Sequence, residues 1–222
     1  MNNLLNQILN MDEPYLIAEI GINHNGDINI AKKLIDATNA CGWHCAKFQK
    51  RNPDVCVPEN QKLVKRNTPW GEMTYLDYKY KLEFGKEEYD EIDRYCRERN
   101  IEWSASPWDM DSLEFLMQYD IPYIKIPSAM LTNNELLSAA KNTGKKIILS
   151  TGMSTLKEIE SAVLLLKNDN KIPDFGDIPN KNFALLHCNS EYPAPPDELN
   201  LSTIKTLKDR NFCEVGYSGH EY

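Results

Sequence analysis

Short apolar runs recur along this chain, each closing on a polar or reactive side chain: Glu19, Lys47, Ser106, Lys125, the Ser150-Thr151 pair, His187, and Ser218 with His220. They are continuous rather than alternating, as expected of parallel strands covered on both faces. The pattern predicts strands at 14–19, 45–48, 101–106, 121–126, 147–150, 183–187 and 213–217. Between most of them apolar residues fall at helical spacing. One helix starts after Gly26, with Asp27 as N-cap and Ile30, Ala31, Leu34, Ile35 and Ala37 on one face. A second covers 86–99, where Tyr89, Ile92, Tyr95 and Cys96 line up, and shorter ones cover 109–119 and 201–208. Thr132-x-x-Glu135 and Thr155-x-x-Glu158 read as capping boxes opening two more. Two stretches break the rhythm. Residues 51–84 are polar and aromatic, too long for an ordinary strand-to-helix loop, and loops of that length are functional or partly helical. Residues 167–182, with two prolines and a glycine, read as a turn-rich connector.

A strand–helix series of this kind builds a parallel sheet whose strand C-termini converge on one face, where active sites form. An open doubly wound sheet would carry a glycine-rich dinucleotide turn after its first strand, and Gly21-Ile22-Asn23-His24-Asn25-Gly26 lacks that spacing. Polar residues end every strand rather than those at one switch point. The expected fold is therefore a (β/α)8 TIM barrel, α/β in class. Such a barrel takes about 250 residues, so the chain is expected to stop before the eighth strand. Residues 1–13 are read as an N-terminal extension and 14–222 as one barrel domain, with no linker-like shift in composition.

Composition narrows the partners. The 222 residues carry a formal charge of −8, which argues against nucleic acid or an acidic membrane as the main partner. No run approaches the roughly 18 apolar residues of a membrane span, and the first residues lack the basic start and apolar centre of a signal peptide. The six cysteines form no C-x-x-C pair and are read as reduced, structural thiols. A cytoplasmic location is expected.

The candidate chemistry sits where the apolar runs end. Lys47 and Lys125 are placed at the mouth of the barrel, with Ser106, Ser128, Ser150, Ser190 and Ser218 alongside. Ammonium and hydroxyl groups together suit a phosphate and a carboxylate; a Schiff-base lysine is the alternative. Glu19 ends an apolar strand, where burial would raise its pKa and favour proton transfer or substrate binding, and pairing with a lysine is the other reading. His220 stands among glycines past the seventh strand, as a hydrogen-bonding rim residue. His24 fits the same role, and His187 reads as a satisfied core histidine.

Six motifs in order carry a family resemblance. They are Ala18-Glu19-Ile20-Gly21-Ile22-Asn23-His24-Asn25-Gly26, Lys47-Phe48-Gln49-Lys50, Lys125-Ile126-Pro127-Ser128, Leu149-Ser150-Thr151-Gly152-Met153, Leu186-His187-Cys188 with Tyr192-Pro193, and Gly216-Tyr217-Ser218-Gly219-His220-Glu221. From about residue 14 onward the chain resembles the sialic acid synthases, N-acetylneuraminate synthase and its 9-phosphate, legionaminate and pseudaminate relatives. The resemblance implies a transferase that condenses phosphoenolpyruvate with the open-chain aldehyde of an N-acylmannosamine or its 6-phosphate. It assigns phosphoenolpyruvate to Lys47, Ser106, Lys125, Ser128, Ser150, Ser190 and Ser218. It assigns the amino sugar to Glu19, Gln49 and Tyr192, with Glu19 and His220 catalytic. His220 would be one of two histidines on a Mn2+ or Mg2+ ion, and the full-length protein a homodimer. No Schiff base is implied.

Two departures accompany the resemblance. Met130 stands where the family usually has an acid two positions after the serine matching Ser128. The second metal histidine and the C-terminal antifreeze-like domain are expected beyond Tyr222. A pseudaminate- or legionaminate-type enzyme using a diacetamido hexose, or an inactive fragment that only binds phosphoenolpyruvate, are the alternatives.

Overall fold

The computed structural model describes residues 14–167 and 180–221. The extension at 1–13 and residues 168–179 of the expected connector lie outside them. The chain divides into two compact units, Met1–Pro122 and Tyr123–Tyr222.

In the first unit, β1 (Ile17–Gly21), β2 (Cys45–Lys50) and β5 (Glu102–Pro107) form a parallel sheet in the order β1-β2-β5. The register pairs Glu19 with Lys47 and Lys47 with Ser104, then Gln49 with Ser106. Side chains alternate across a strand, so one face carries Glu19, Lys47, Gln49, Ser104 and Ser106. The other carries Ala46, Phe48, Trp103 and Ala105, all buried. Against the apolar face pack α1 (Ile28–Ala40), through Ala31 and Ile35, and α5 (Lys86–Glu98), through Tyr89, Ile92 and Cys96. Phe115 of α6 (Met110–Leu116) meets the Tyr89 ring edge-on with centroids 5.3 Å apart, and Trp103 meets Tyr119 at 5.4 Å. Full burial of rings such as Phe48 and Tyr89 contributes about 2–3 kcal/mol each. Asp27 caps α1 as expected, accepting from Asn29 N–H at 2.7 Å. Gly26 before it has φ +71°, and a Cβ there would run into the Lys81 carbonyl.

The stretch read as a long polar loop is largely structured. It holds the short helices α2 (Pro53–Cys56) and α3 (Glu59–Lys62), an antiparallel hairpin of β3 (Lys65–Thr68) and β4 (Gly71–Thr74), and α4 (Tyr75–Leu82). The hairpin was not expected. Its turn is closed by polar contacts, Thr68 Oγ1 donating to the Gly71 carbonyl at 2.7 Å.

In the second unit, β6 (Tyr123–Ile126), β7 (Lys146–Ser150), β8 (Asn180–His187) and β9 (Cys213–Tyr217) form a parallel sheet in chain order. Ile124, Ile126, Ile147, Leu149, Phe183 and Leu185 bury its apolar side. The helices are α7 (Asn134–Asn142), α8 (Leu156–Lys167) and α9 (Ser202–Asp209), with 3-10 turns at Ser128–Met130 and Pro196–Glu198. Thr155 and Glu158 form the expected capping box, Thr155 N–H donating to Glu158 Oε2 at 2.7 Å and Glu158 N–H to Thr155 Oγ1 at 3.3 Å. The Thr132–Glu135 box does not form. The turn that follows Met130 carries Thr132 out of capping position, and Asn133 Oδ1 accepts from Leu136 N–H at 3.0 Å instead. All six cysteines are free. Among the described residues no helix is long and apolar enough to cross a membrane.

Candidate active site

Each sheet presents a set of polar side chains at or near the C-terminal ends of its strands. In the first unit Lys47 is 5% exposed and lies mid-strand rather than at the strand end, because β2 runs on to Lys50. Its ammonium forms an ion pair with Glu19 and donates to Ser106 Oγ at 3.2 Å. Glu19 is not buried as expected. Its side chain is 34% exposed and pairs with a lysine, the other reading. Gln49 Nε2 donates to Glu19 Oε1 at 3.4 Å, and its carbonyl oxygen accepts from Arg51. Glu19, Lys47, Gln49 and Ser106 thus form one connected polar group.

Beside it, Lys50 donates to Glu83 Oε1 at 3.1 Å and to the Phe84 carbonyl at 2.8 Å. Burial raises the Glu83 carboxyl above its ordinary range, against the opposing pull of Lys50. His24 is buried, stacks on Phe84 with centroids 3.9 Å apart, and accepts from Gly26 N–H at Nδ1. Its burial pushes the imidazole pKa down to about 4.

In the second unit Lys125 is 7% exposed and likewise precedes the strand end by one residue. Ser128 follows β6 in the 3-10 turn; its Oγ lies 3.0 Å from Cys188 Sγ and accepts from Gly152 N–H at 3.0 Å. A Cβ on Gly152 would meet Ser190 Oγ, Cys188 Sγ at 2.7 Å and Ser128 Oγ at 3.0 Å. Glycine at 152 leaves open the space that two hydroxyls and a thiol share, one of the hydroxyls accepting from its N–H. Ser150, which ends β7, is 2% exposed, and its hydroxyl has no hydrogen-bond partner among the described residues. An unsatisfied buried hydroxyl is unfavourable until something accepts from it or donates to it. Cys188 and Ser190 also line an open cleft of about 560 Å³ with Met153, Glu191, Leu199 and Asn200. Ser218 N–H donates to the His187 carbonyl at 2.8 Å. Met130 closes the 3-10 turn, its sulfur 3.9 Å from Asn133 Nδ2.

The histidines divide cleanly. His187 donates from Nε2 to the Leu199 carbonyl at 2.7 Å, as a core histidine does. His220 shares a 2.9 Å hydrogen bond with the Tyr192 hydroxyl, the rings 4.1 Å apart, and Tyr192 itself is 70% exposed. Among the described residues no three His, Cys, Asp or Glu side chains come together as a metal set. His220 is one ligand at most, and its Nε2 is engaged by a phenol, so these residues do not by themselves fit the expected Mn2+ or Mg2+.

Lys47, Ser106, Glu19 and Gln49 are brought together in one unit, and Ser128 with Ser190 in the other. Arg51 and Gly152 had no assigned role in the sequence reading. Only the fold reveals their contacts.

The family model described as the NeuB family matches residues 34–222. The chain is 37% identical to the N-acetylneuraminate-9-phosphate synthase of Drosophila melanogaster, over 98% of this chain and 58% of that protein. It is 38% identical to the N,N'-diacetyllegionaminic acid synthase of Campylobacter jejuni, over 95% of this chain and 61% of that protein. Among solved structures, the sialic acid synthetase of Leptospira borgpetersenii in complex with citrate matches with a TM-score of 0.79 and 33% identity, over 93% of this chain and 65% of that one. The chain spans somewhat over half the length of these curated relatives. With its α/β fold, parallel sheets and six ordered motifs, the chain belongs to the NeuB family.

Proposed function

We propose that this chain forms the barrel part of a sialic-acid-type synthase that joins phosphoenolpyruvate to an N-acylmannosamine or its 6-phosphate. The observation that carries the reading is the buried Lys47, held between Glu19 and Ser106 on the polar face of a parallel sheet in a NeuB-family chain. A buried cation is costly unless paired, and here its carboxylate partner is itself partly exposed and open to a substrate.

In the proposed reaction C3 of the enol attacks the aldehyde carbon, water adds at C2, and phosphate leaves by C–O cleavage. Lys47 and Ser106 bind oxyanions of phosphoenolpyruvate, with Lys125, Ser128, Ser150, Ser190 and Ser218 as the other members of that set. Glu19 and Gln49 hold hydroxyl or amide groups of the sugar, and Glu19 moves the proton. Tyr192 orients His220 at the sugar. No step is written through a metal. The fold proposed is a (β/α)8 barrel to which this chain contributes seven strands, within a homodimer.

A second substrate, a 2,4-diacetamido-trideoxy hexose, has support from the 38% identity to a legionaminate-type relative and from Met130 in place of an acid. The test is phosphate release from phosphoenolpyruvate by the full-length protein with each candidate sugar. Release with one of them establishes the reading and names the acceptor. No release with any, under Mn2+ and Mg2+ alike, overturns it.

A further inference from the structure

Arg51 follows the last residue of β2 and is only 9% exposed. It is held on three sides. Its backbone N–H donates to Glu83 Oε1 at 3.0 Å, its guanidinium carbon lies 4.6 Å from the Trp108 ring centre, and one terminal nitrogen donates to Gln49 Oε1. Yet among the described residues its buried Nε has no acceptor, and neither has the buried Nε1 of Trp108 stacked against it. Neighbouring cations are matched, Lys47 by Glu19 and Lys50 by Glu83. Among the described residues no carboxylate lies within ion-pair distance of Arg51. Asp109, in the loop after β5, is already engaged: Asn52 N–H at 2.7 Å and Cys56 Sγ at 3.1 Å reach Oδ2, and Ser112 N–H reaches Oδ1 at 2.7 Å.

Of the described residues, Glu83 is the one carboxylate near enough to act on this charge, and it is already held by Lys50. A buried guanidinium without a direct ion pair is unfavourable in the ligand-free protein, and an anion relieves it. A planar fork fixed on an aromatic face, with N–H groups left over, matches the oxygens of a phosphate better than a neutral hydroxyl. The direct contact is to Gln49, a residue given to the sugar, and Arg51 joins the Lys47 and Ser106 end of the same polar group only through Gln49 and Glu19. We propose that Arg51 binds the phosphate monoester of a 6-phosphorylated N-acyl sugar and sets the preference for that acceptor over the neutral sugar. This rests on the synthase reading above through the role given to Gln49.

The test is calorimetric titration of the full-length protein and its Arg51→Gln and Arg51→Lys variants with N-acetylmannosamine 6-phosphate, N-acetylmannosamine and phosphoenolpyruvate, beside melting curves. Arg51→Gln is expected to weaken the 6-phosphate by ~30-fold or more and the other two by less than ~2-fold, with an unchanged or higher melting temperature; Arg51→Lys, keeping charge without the fork, falls between. Equal weakening of both sugars overturns the inference, since Arg51 then only orients Gln49. So does weakening confined to phosphoenolpyruvate. A wild-type protein that binds phosphoenolpyruvate and the neutral sugar but not the 6-phosphate sinks the inference and leaves the synthase reading standing. Binding of none of the three sinks both.

Discussion

The two sheets solve the same problem differently. Both are parallel and bury an aliphatic or aromatic face under helices, but their other faces are built from unlike side chains. The first unit lines it with a linked set of charges and amides, Glu19, Lys47 and Gln49, joined to Ser106. The second lines the corresponding rows with Lys125, Ile148, Ala184 and Glu214, then Ser150, Leu186 and Gly216, so its two charges stand at opposite edges of the sheet with apolar side chains between them. Its polar groups gather past the strand ends, as Ser128, Cys188 and Ser190 around Gly152. One site is organised by charge pairing inside a sheet. The other is organised by the absence of a side chain at one glycine.

The sharpest break in that contrast is at Lys47. Replacement Lys47→Met keeps length and removes charge, and kcat/KM for phosphoenolpyruvate is expected to fall by ~100-fold or more. Because Glu19 is partly exposed, the stranded carboxylate should cost only about 1–2 kcal/mol, less than a fully buried broken pair. Steady-state kinetics and urea melts read the two separately. Activity within threefold of wild type would remove Lys47 from the site. In the second unit the matching experiment adds atoms. Gly152→Ala is expected to push Ser190 and Cys188 aside, raise the phosphoenolpyruvate KM by ~10-fold or more and cost about 1–3 kcal/mol. An unchanged KM would mean that the hydroxyls around Gly152 bind nothing.

How much of this could be read from sequence differs between the two units for the same physical reason. Ile147 to Leu149 and Phe183 to Leu185 were legible as strands because apolar residues fill both faces. The strand Cys45-Ala46-Lys47-Phe48-Gln49-Lys50 reads from sequence as ending at Phe48, because polar residues on one face of a buried strand look like its end. That is also why Lys47 was placed at the mouth when it lies mid-strand. Candidate residues were legible by type and motif, but Glu19's exposure was not, since it depends on where β2 puts Lys47. The hairpin at 65–74 has no apolar alternation to announce it. Adjacent Thr132 and Asn133 both suit a helix cap, and only the preceding turn decides between them. Arg51 was invisible as a site residue because Trp108 and Glu83, which hold it, come from distant segments.

Acid should separate the units through His24, whose pKa burial lowers from 6.5 to about 4. Above pH 6.5 the ring is neutral whether the chain is folded or not. As pH falls from about 6.5 to about 4, the unfolded chain takes a proton that the folded one refuses, so stability drops. Below about 4 both forms carry it and the loss levels off, at most ~3 kcal/mol. His24→Asn retains an acceptor for Gly26 N–H and does not titrate, so its stability should change less across that window. Hydrogen exchange at β1 and α1, followed with pH, gives the comparison; parallel curves for the two proteins would show that His24 is not the group responsible.

The smallest expected effect is at Ser150, and its sign makes it informative. In most buried positions removing a hydroxyl loses a hydrogen bond and about 1 kcal/mol. Here the hydroxyl has no partner among the described residues, so Ser150→Ala removes a desolvated group that gains nothing from them. The variant is expected to be as stable as wild type or more stable by up to ~1 kcal/mol without ligand, and to lose part of the stabilisation that phosphoenolpyruvate gives wild type. Melting temperatures with and without phosphoenolpyruvate measure both halves. Destabilisation of the ligand-free variant by ~1 kcal/mol would mean that the hydroxyl already has a partner in the folded protein, and Ser150 would then lose its claim to be a group left waiting for a ligand.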